Sequence, residues 1–232
     1  MNLKSIFLNL LFPIQCLGCN QESVWICKNC QNKIHLQKYQ ICPNCKKTKT
    51  EGNLCGNCQN TKIYFDKLLV AAKYEKEHLI QKVIKTFKYR FIKDLNKFLG
   101  DFLSDTIRKY IKNYKNYILI PIPLHLKKEK WRGFNQAELL TDTISENLQI
   151  FIDKNLIKRI KYQKSQAELD RDLRLKNLHN AFQIEDKIKA LNKKFILIDD
   201  IATTGTTLNE CAKMLKTAGA IEVVAVVIGR GE

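Results

Sequence analysis

The sequence predicts an α/β fold, a parallel sheet flanked by helices and preceded by a small cysteine-rich module. Three observations predict it. Apolar runs of strand length occupy Tyr117–Leu124, Phe195–Asp200 and Ile221–Gly229. They are hydrophobic at successive positions, as strands covered on both faces must be. Stretches of helical period separate them, so strands and helices alternate. Eight of the nine cysteines fall between Cys16 and Cys58, all as C-x-x-C pairs. A chain of 232 residues has room for one α/β domain and an appendage. The expected division is residues 1–61 for the cysteine-rich module and 62–232 for the α/β domain.

Each element follows from its local pattern. Residues 5–12 are expected to form a short helix packed on the body. The N-terminus has one lysine before a short apolar run, but no small-residue cleavage site follows, and the run is too short to span a bilayer. The expectation is a cytoplasmic protein with no membrane span. Residues 14–60 are turn-rich. Ile63–Tyr74 is an extended segment around Leu68–Ala72. Leu79, Val83, Ile84 and Phe87, then Leu95, Phe98, Leu99, Phe102 and Ile107, recur at helical spacing. Tyr117–Leu124 is a buried strand running into a proline-stiffened loop, and Ala137–Leu148 a helix. Residues 156–162 read as a strand, and 163–180 as a polar, basic, mobile loop with a helical turn. Phe195–Asp200 is a buried strand, Thr206–Ala218 a helix ended near Gly219, and Ile221–Gly229 a last buried strand. No internal repeat is visible beyond the cysteine pairs.

Composition narrows the partners. Hydrophobic residues make up 45% and charged residues 27%, which suits a folded, soluble chain. The formal net charge of +17 favours polyanions, whether nucleic acid or small phosphate-rich molecules. Most of the excess is lysine spread along the chain. The clusters at 127–132, 154–164 and 187–194 are expected to be solvated loops or faces.

The cysteine pairs are Cys16/Cys19, Cys27/Cys30, Cys42/Cys45 and Cys55/Cys58, separated by 7, 11 and 9 residues. A C-x-x-C turn presents two thiolates on one side of a tight knuckle, and two knuckles complete a tetrahedral Cys₄ zinc site. Eight cysteines therefore suit two structural Zn²⁺ ions. A disulfide framework would need an oxidising compartment, for which the sequence carries no export signal. A redox pair would occur once, beside a βαβ unit. Two schemes remain open: neighbouring pairs share a metal, or the pairs interleave. His35 lies between pairs, yet eight cysteines already fill two sites. Cys211 reads as a small buried hydrophobe.

The sharpest signal is Asp199-Asp200-Ile201-Ala202-Thr203-Thr204-Gly205-Thr206-Thr207 at the end of an apolar strand. Backbone N–H groups at a helix N-terminus bind phosphate. Threonine hydroxyls add donors, and Gly205 lets the backbone approach closely. Carboxylates at a strand's carboxyl edge can accept from two vicinal ribose hydroxyls, at the edge where open α/β sheets bind ligands. A Walker A loop would need a lysine here, and a Rossmann fingerprint three spaced glycines before the acid. A structural N-cap explains one threonine but not the acidic pair.

This pattern resembles the phosphoribosyl pyrophosphate signature of type I phosphoribosyltransferases, and the wider chain is similar to the competence protein F (ComF) family. The resemblance covers Leu10–Pro13, Phe87-Lys88-Tyr89, Pro121–Leu124, Arg132-Gly133-Phe134-Asn135-Gln136-Ala137, and Gln166–Leu169 with Arg171, Arg174, Asn177, Ala181 and Phe182. It implies a type I phosphoribosyltransferase-like sheet behind a double zinc ribbon. Asp199 and Asp200 would hold the ribose hydroxyls as the catalytic acids, and Thr203, Thr204, Gly205, Thr206 and Thr207 would cradle the 5-phosphate. Pro121, Ile122, Pro123 and Leu124 would form the pyrophosphate loop. Arg132, Arg171 and Arg174 would belong to a mobile basic cover, with Mg²⁺ bridging pyrophosphate oxygens. Lys127, Lys128 and Lys130 are alternatives for that neutralising role, or a solvated turn. His125 has a hydrogen-bonding role beside the loop. Trp131 and Phe134 are read either as base-stacking rings or as packing.

Three functions fit. The chain is a phosphoribosyltransferase, or a binding protein for phosphoribosyl pyrophosphate or a nucleotide with a nucleic-acid-binding basic surface, or an adaptor with a vestigial site. The resemblance also implies a part in DNA uptake during natural transformation, with single-stranded DNA and the uptake machinery as partners. The intact acidic pair and Thr-Gly loop argue against the adaptor.

Overall fold

Unbroken apolar strands need cover on both faces, and the sheet is built to supply it. The computed structural model describes residues 13–75, 78–89, 92–161 and 181–231. The expected helix at 5–12 and the segment 163–180, with Arg171 and Arg174, lie outside the described residues. In chain order the elements are a single turn α1 (Lys28–Gln31), β1 (Lys67–Val70), α2 (Leu79–Tyr89), α3 (Lys93–Tyr110), β2 (Tyr117–Pro121), α4 (Leu126–Arg132), α5 (Gln136–Leu148), β3 (Ile157–Arg159), β4 (Phe182–Ile184), β5 (Lys194–Ala202), α6 (Thr206–Thr217) and β6 (Glu222–Arg230).

Strands β1, β6, β5 and β2 lie in that order and all run parallel. Side-chain alternation splits the core in two. Ile196, Ile198, Val224 and Val226 face one cluster with Ile80, Phe87, Leu99 and Leu140 from α2, α3 and α5. Phe195, Leu197, Val223, Ala225 and Val227 face the other, with Leu208, Cys211, Ala212 and Leu215 of α6. Cys211 is fully buried, the small hydrophobe expected. β3 and β4 pair as an antiparallel ribbon beside this second cluster. β3 is shorter than the expected 156–162 strand.

The segment between β2 and α5 departs from expectation. The lysine cluster at 127–132 is the helix α4, none of whose residues is buried. Its ends are set by caps rather than by an apolar stripe. His125 Nδ1 accepts from Lys127 N at 3.1 Å, and Gly133, at φ 83°, stops the helix. Asn135 then starts α5, its side chain accepting from Ala137 N at 3.0 Å. The Arg132–Ala137 motif is thus a helix stop followed by a helix start.

The cysteines form two like half-ribbons. Cys16, Cys19, Cys27 and Cys30 converge, as do Cys42, Cys45, Cys55 and Cys58, each set with its sulfurs within 4.8 Å of one another. Neighbouring pairs therefore share a site, and each set suits one structural zinc. The backbone repeats too. Cys27 N donates to Cys16 Sγ at 3.3 Å, and Cys55 N to Cys42 Sγ at 3.4 Å. Asn20 and Lys46 turn the two knuckles at φ 62° and 59°. Neighbouring N–H groups draw two thiols down to about 6: Cys16, against the effect of its burial, and Cys45, mainly through Thr48 and Lys47. Burial and the neighbouring sulfurs push Cys30 up to about 12 and Cys55 up to about 11, so within each set one thiol ionises readily and another does not.

These ribbons cover the outer edge of β1. Leu68 N donates to Gly52 O at 2.9 Å. Gln40 is 2% exposed and acts as a strand residue would: Val70 N donates to its Oε1 at 2.9 Å, and its Nε2 donates to Val70 O at 3.0 Å. Beyond the strand, Gln37 N donates to Ala71 O and Lys73 N to His35 O, each at 2.9 Å. On the other edge, Leu119 of β2 exchanges bonds with Phe151 O and Asp153 N, at 2.9 and 3.0 Å. Gln40→Ala leaves both backbone groups of Val70 buried and unpaired. It is expected to lower stability by about 2–4 kcal/mol in chemical denaturation, whereas Gln37→Ala, whose partly open side chain donates to Tyr39 O, should change it by less than about 0.5 kcal/mol.

Candidate functional site

β2 and β5 are neighbours whose following helices go to opposite faces, α5 to one core cluster and α6 to the other. Between two such loops a parallel sheet opens a crevice at its carboxyl edge. Pro121 pairs with Ile198, so the Pro121–Leu124 loop leaves β2 one residue short of Asp199 on β5. Ile122 N still donates to Ile198 O at 2.9 Å, and Ile122 O accepts from Asn135 Nδ2 at 3.2 Å. That loop is held on both sides, while Pro123 and Leu124 remain partly open.

The Thr203–Thr207 loop lies across the crevice. Gly205 adopts φ 75°, and nothing lies within 4 Å of the position a Cβ would take. Thr203 and Thr204 are exposed. The hydroxyls of Thr204 and Thr206 hydrogen-bond each other at 2.7 Å, and Thr206 N leans on Thr204 Oγ1 at 3.4 Å. The amides of Thr203, Thr204, Gly205 and Thr207 donate to no atom of the described residues. Unpaired N–H groups at the start of a twelve-residue helix make a cradle for an anion.

The two carboxylates differ. Asp199 is partly open, and its Oδ1 accepts from Asp200 N at 2.8 Å. Burial, and then the charge of Asp200, push Asp199 up to about 7, more than Lys88 draws it down. Asp200 is 3% exposed and turned inward. Lys88 Nζ lies 3.1 Å from its Oδ1, and its Oδ2 finds no hydrogen-bond partner among the described residues. Burial works against the Lys88 ammonium, but the charges of Asp200 and Asp199 outweigh it and raise its pKa above the usual lysine value.

Two cations act on this acid pair, Lys88 from the end of α2 and Arg159 from β3; Lys128 and Arg132 of α4 lie near those cations rather than against the acids. Burial, with Arg159, Arg132 and Lys88 nearby, lowers the pKa of Lys128. Burial lowers Arg159 too, offset in part by Cys211 and Asp199. His125 is pushed down by burial and by Arg159, Lys127 and Lys128. Arg132 Nη1 donates to Gln136 Oε1 at 2.5 Å, and its Nε is buried without a partner among the described residues. The crevice thus joins the predicted acids, the threonine loop, the Pro121–Leu124 loop and Arg132. Arg171 and Arg174 lie outside the described residues. Sequence reasoning gave no role to Lys88 or Arg159. Lys88 lies in the Phe87-Lys88-Tyr89 motif, beside the buried anchor Phe87, and Arg159 in the 154–164 cluster expected to be solvated.

Comparison with known proteins agrees with this layout. A double zinc ribbon domain model matches residues 7–59, and a phosphoribosyl transferase domain model matches residues 137–232. Competence protein F of Haemophilus influenzae is 29% identical over 85% of this chain and 93% of its own length. A DNA utilization protein of Salmonella typhimurium is 26% identical over 92% and 96%. Among solved structures, a purine phosphoribosyltransferase from Pyrococcus horikoshii aligns over 58% of this chain and 80% of its own, at 16% identity and a TM-score of 0.34. The glutamine phosphoribosylpyrophosphate amidotransferase of B. subtilis aligns over 57%, at 16% identity and a TM-score of 0.37, and this chain covers a quarter of that one. Competence protein ComFC of Streptococcus pneumoniae is 30% identical over 92% of this chain and 91% of its own length, and on that end-to-end match the chain belongs to the competence protein F family.

Proposed function

We propose that the crevice binds the ribose 5-phosphate of phosphoribosyl pyrophosphate, as a phosphoribosyltransferase-type site serving DNA uptake. One observation carries this reading: four amides of the Thr203–Thr207 loop are unpaired among the described residues, beside a carboxylate that is partly open. The loop takes the phosphate through those amides and the threonine hydroxyls. Asp199 accepts from the ribose hydroxyls. Asp200 supports it from below, its own carboxylate paired with Lys88. Lys128, Arg132 and Arg159 face the pyrophosphate and stabilise charge developing on it as it leaves. The partly open carboxylate of Asp199 would offer magnesium a hard oxygen donor, and the metal would offset pyrophosphate charge.

A second reading makes the chain a nucleic-acid-binding protein without transferase activity. Relatives named for competence and DNA utilization support it, as does the formal net charge of +17.

Calorimetric titration with phosphoribosyl pyrophosphate and magnesium separates the readings. Wild type is expected to bind only with magnesium present, and Asp199→Asn/Asp200→Asn to bind at least about tenfold more weakly, the loss of one or more charge-assisted hydrogen bonds. Equal binding by both proteins would remove the carboxylates from the site. Pyrophosphate release with an added acceptor then marks a transferase, and its absence a binding protein.

The ionised form of Asp199 is the one that accepts from hydroxyls. With Asp199 raised to about 7, binding below that pH releases a proton, so affinity should rise with pH and level off above about 7. The rise should reach up to about tenfold per pH unit and be absent in Asp199→Asn, measured against a ligand-protonation control.

Lys88→Met strands a buried carboxylate and is expected to cost roughly 3–5 kcal/mol in chemical denaturation. Lys88→Met/Asp200→Asn should recover most of that loss; failure to recover would show that Lys88 acts through packing and not through its charge.

A further inference from the structure

Large aromatic rings left in solvent beside a charged cleft call for an explanation. Tyr89 is 66% exposed and Trp131 75%. Their centroids lie 6.5 Å apart with the rings at 84°, and the Arg132 guanidinium stands 5.8 Å from the centre of the Tyr89 ring. The pair adjoins the cleft, because Tyr89 follows Lys88, which pairs with Asp200, and Trp131 precedes Arg132, whose charge acts on Lys88. Phe134 behaves differently, with its ring 6.4 Å from that of buried Phe87.

We propose that Tyr89 and Trp131 form a stacking platform for an unpaired base of single-stranded nucleic acid, held at the mouth of the phosphate cleft. Two rings at right angles offer one face and one edge to a third flat ring, the offset and edge-to-face arrangements that aromatic groups favour. Base–aromatic stacking is worth about 1–3 kcal/mol per base, and a neighbouring guanidinium adds to it. The geometry favours a strand over a free heterocycle. A small ligand needs a pocket enclosing most of its surface, whereas these rings stand open among the described residues. A strand also brings backbone phosphates, and α4 carries exposed Lys127 and Lys130 on either side of half-buried Lys128, on the same short helix as Trp131. The inference rests on the nucleic-acid reading of the basic face and is independent of phosphoribosyl pyrophosphate binding.

The test is fluorescence anisotropy with a labelled oligothymidylate of about 20 nucleotides over a salt series, using the full zinc-loaded chain. Trp131→Ala and Tyr89→Ala change exposed side chains, and unaltered thermal unfolding confirms that they fold. Each is expected to bind about tenfold or more weakly while the slope of log affinity against log salt stays at the wild-type value, because stacking releases no counterions. An abasic oligomer of the same length should bind all three proteins equally, at the weaker level. The platform is overturned if the variants bind as wild type does, if the salt slope falls with affinity, or if the abasic oligomer binds wild type as tightly as the thymidylate. Thymidine monophosphate that competes as well per base as the strand would overturn it in favour of a free nucleotide. Salt-dependent binding with no aromatic effect sinks the platform alone, and no strand binding by wild type sinks the nucleic-acid reading with it.

Discussion

A four-stranded parallel sheet has two edges, and the edge at β1 is satisfied by metal-organised chain. β1 is four residues long and bonds inward only to β6. Its outward groups at Leu68 and Val70 are taken by Gly52 and the Gln40 side chain. A short parallel strand with an open edge is both unstable and a template for pairing with another chain. The ribbons are too small to hold their shape through a core of their own, and their folding energy comes from the metal. Zinc affinity is therefore coupled to closure of the sheet. Arg230 strengthens the coupling, since the last residue of β6 donates to Pro43 O inside the second half-ribbon. The first half-ribbon joins the main core directly through Cys16, Ile26, Cys30 and Ile34.

The same closure positions the crevice. β6 lies between β1 and β5, and β5 carries Asp199 and Asp200 at its carboxyl end. The register that places Asp199 opposite Val227 is fixed by buried residues on both faces, from Phe195 to Ile198 and from Val223 to Ile228. A slip of one residue would exchange the two core faces. Asp200 would then lose Lys88 and leave a buried charge unpaired, a cost of several kcal/mol. Placement of the acids is thus a consequence of apolar packing several residues away.

How far the sequence foretold this depended on whether a feature was local. The β5 and β6 strands and helices α2, α3, α5 and α6 were legible because each carries its own apolar pattern. The Cys₄ sites were legible because metal ligation needs thiolates at knuckle spacing, although spacing alone left the pairing open. The threonine loop was legible because threonines around a glycine follow an acidic pair at the end of an apolar strand, and Gly205 takes the φ of 75° that glycine allows. Three features were not. α4 has no apolar stripe, and its two caps, His125 and Gly133, read as loop residues. Gln40 looks like any polar residue of a turn-rich module until β1 is brought against it. Lys88 and Arg159 are 71 residues apart in sequence, and only the fold sets them around one acid pair.

That last failure has a physical reason that also explains the chemistry. A lysine on a helix is ordinarily a solvated charge, and an arginine on a short strand is ordinarily at its edge. Both become partly buried here because two carboxylates occupy the end of a strand whose neighbours are all apolar. Burial there, and then the charge of Asp200, make Asp199 resist ionisation. The cations relieve that strain incompletely, and Asp200 keeps one oxygen with no donor among the described residues. A strand end that folds with a buried acceptor unfilled is less stable than one whose carboxylate is fully satisfied by protein.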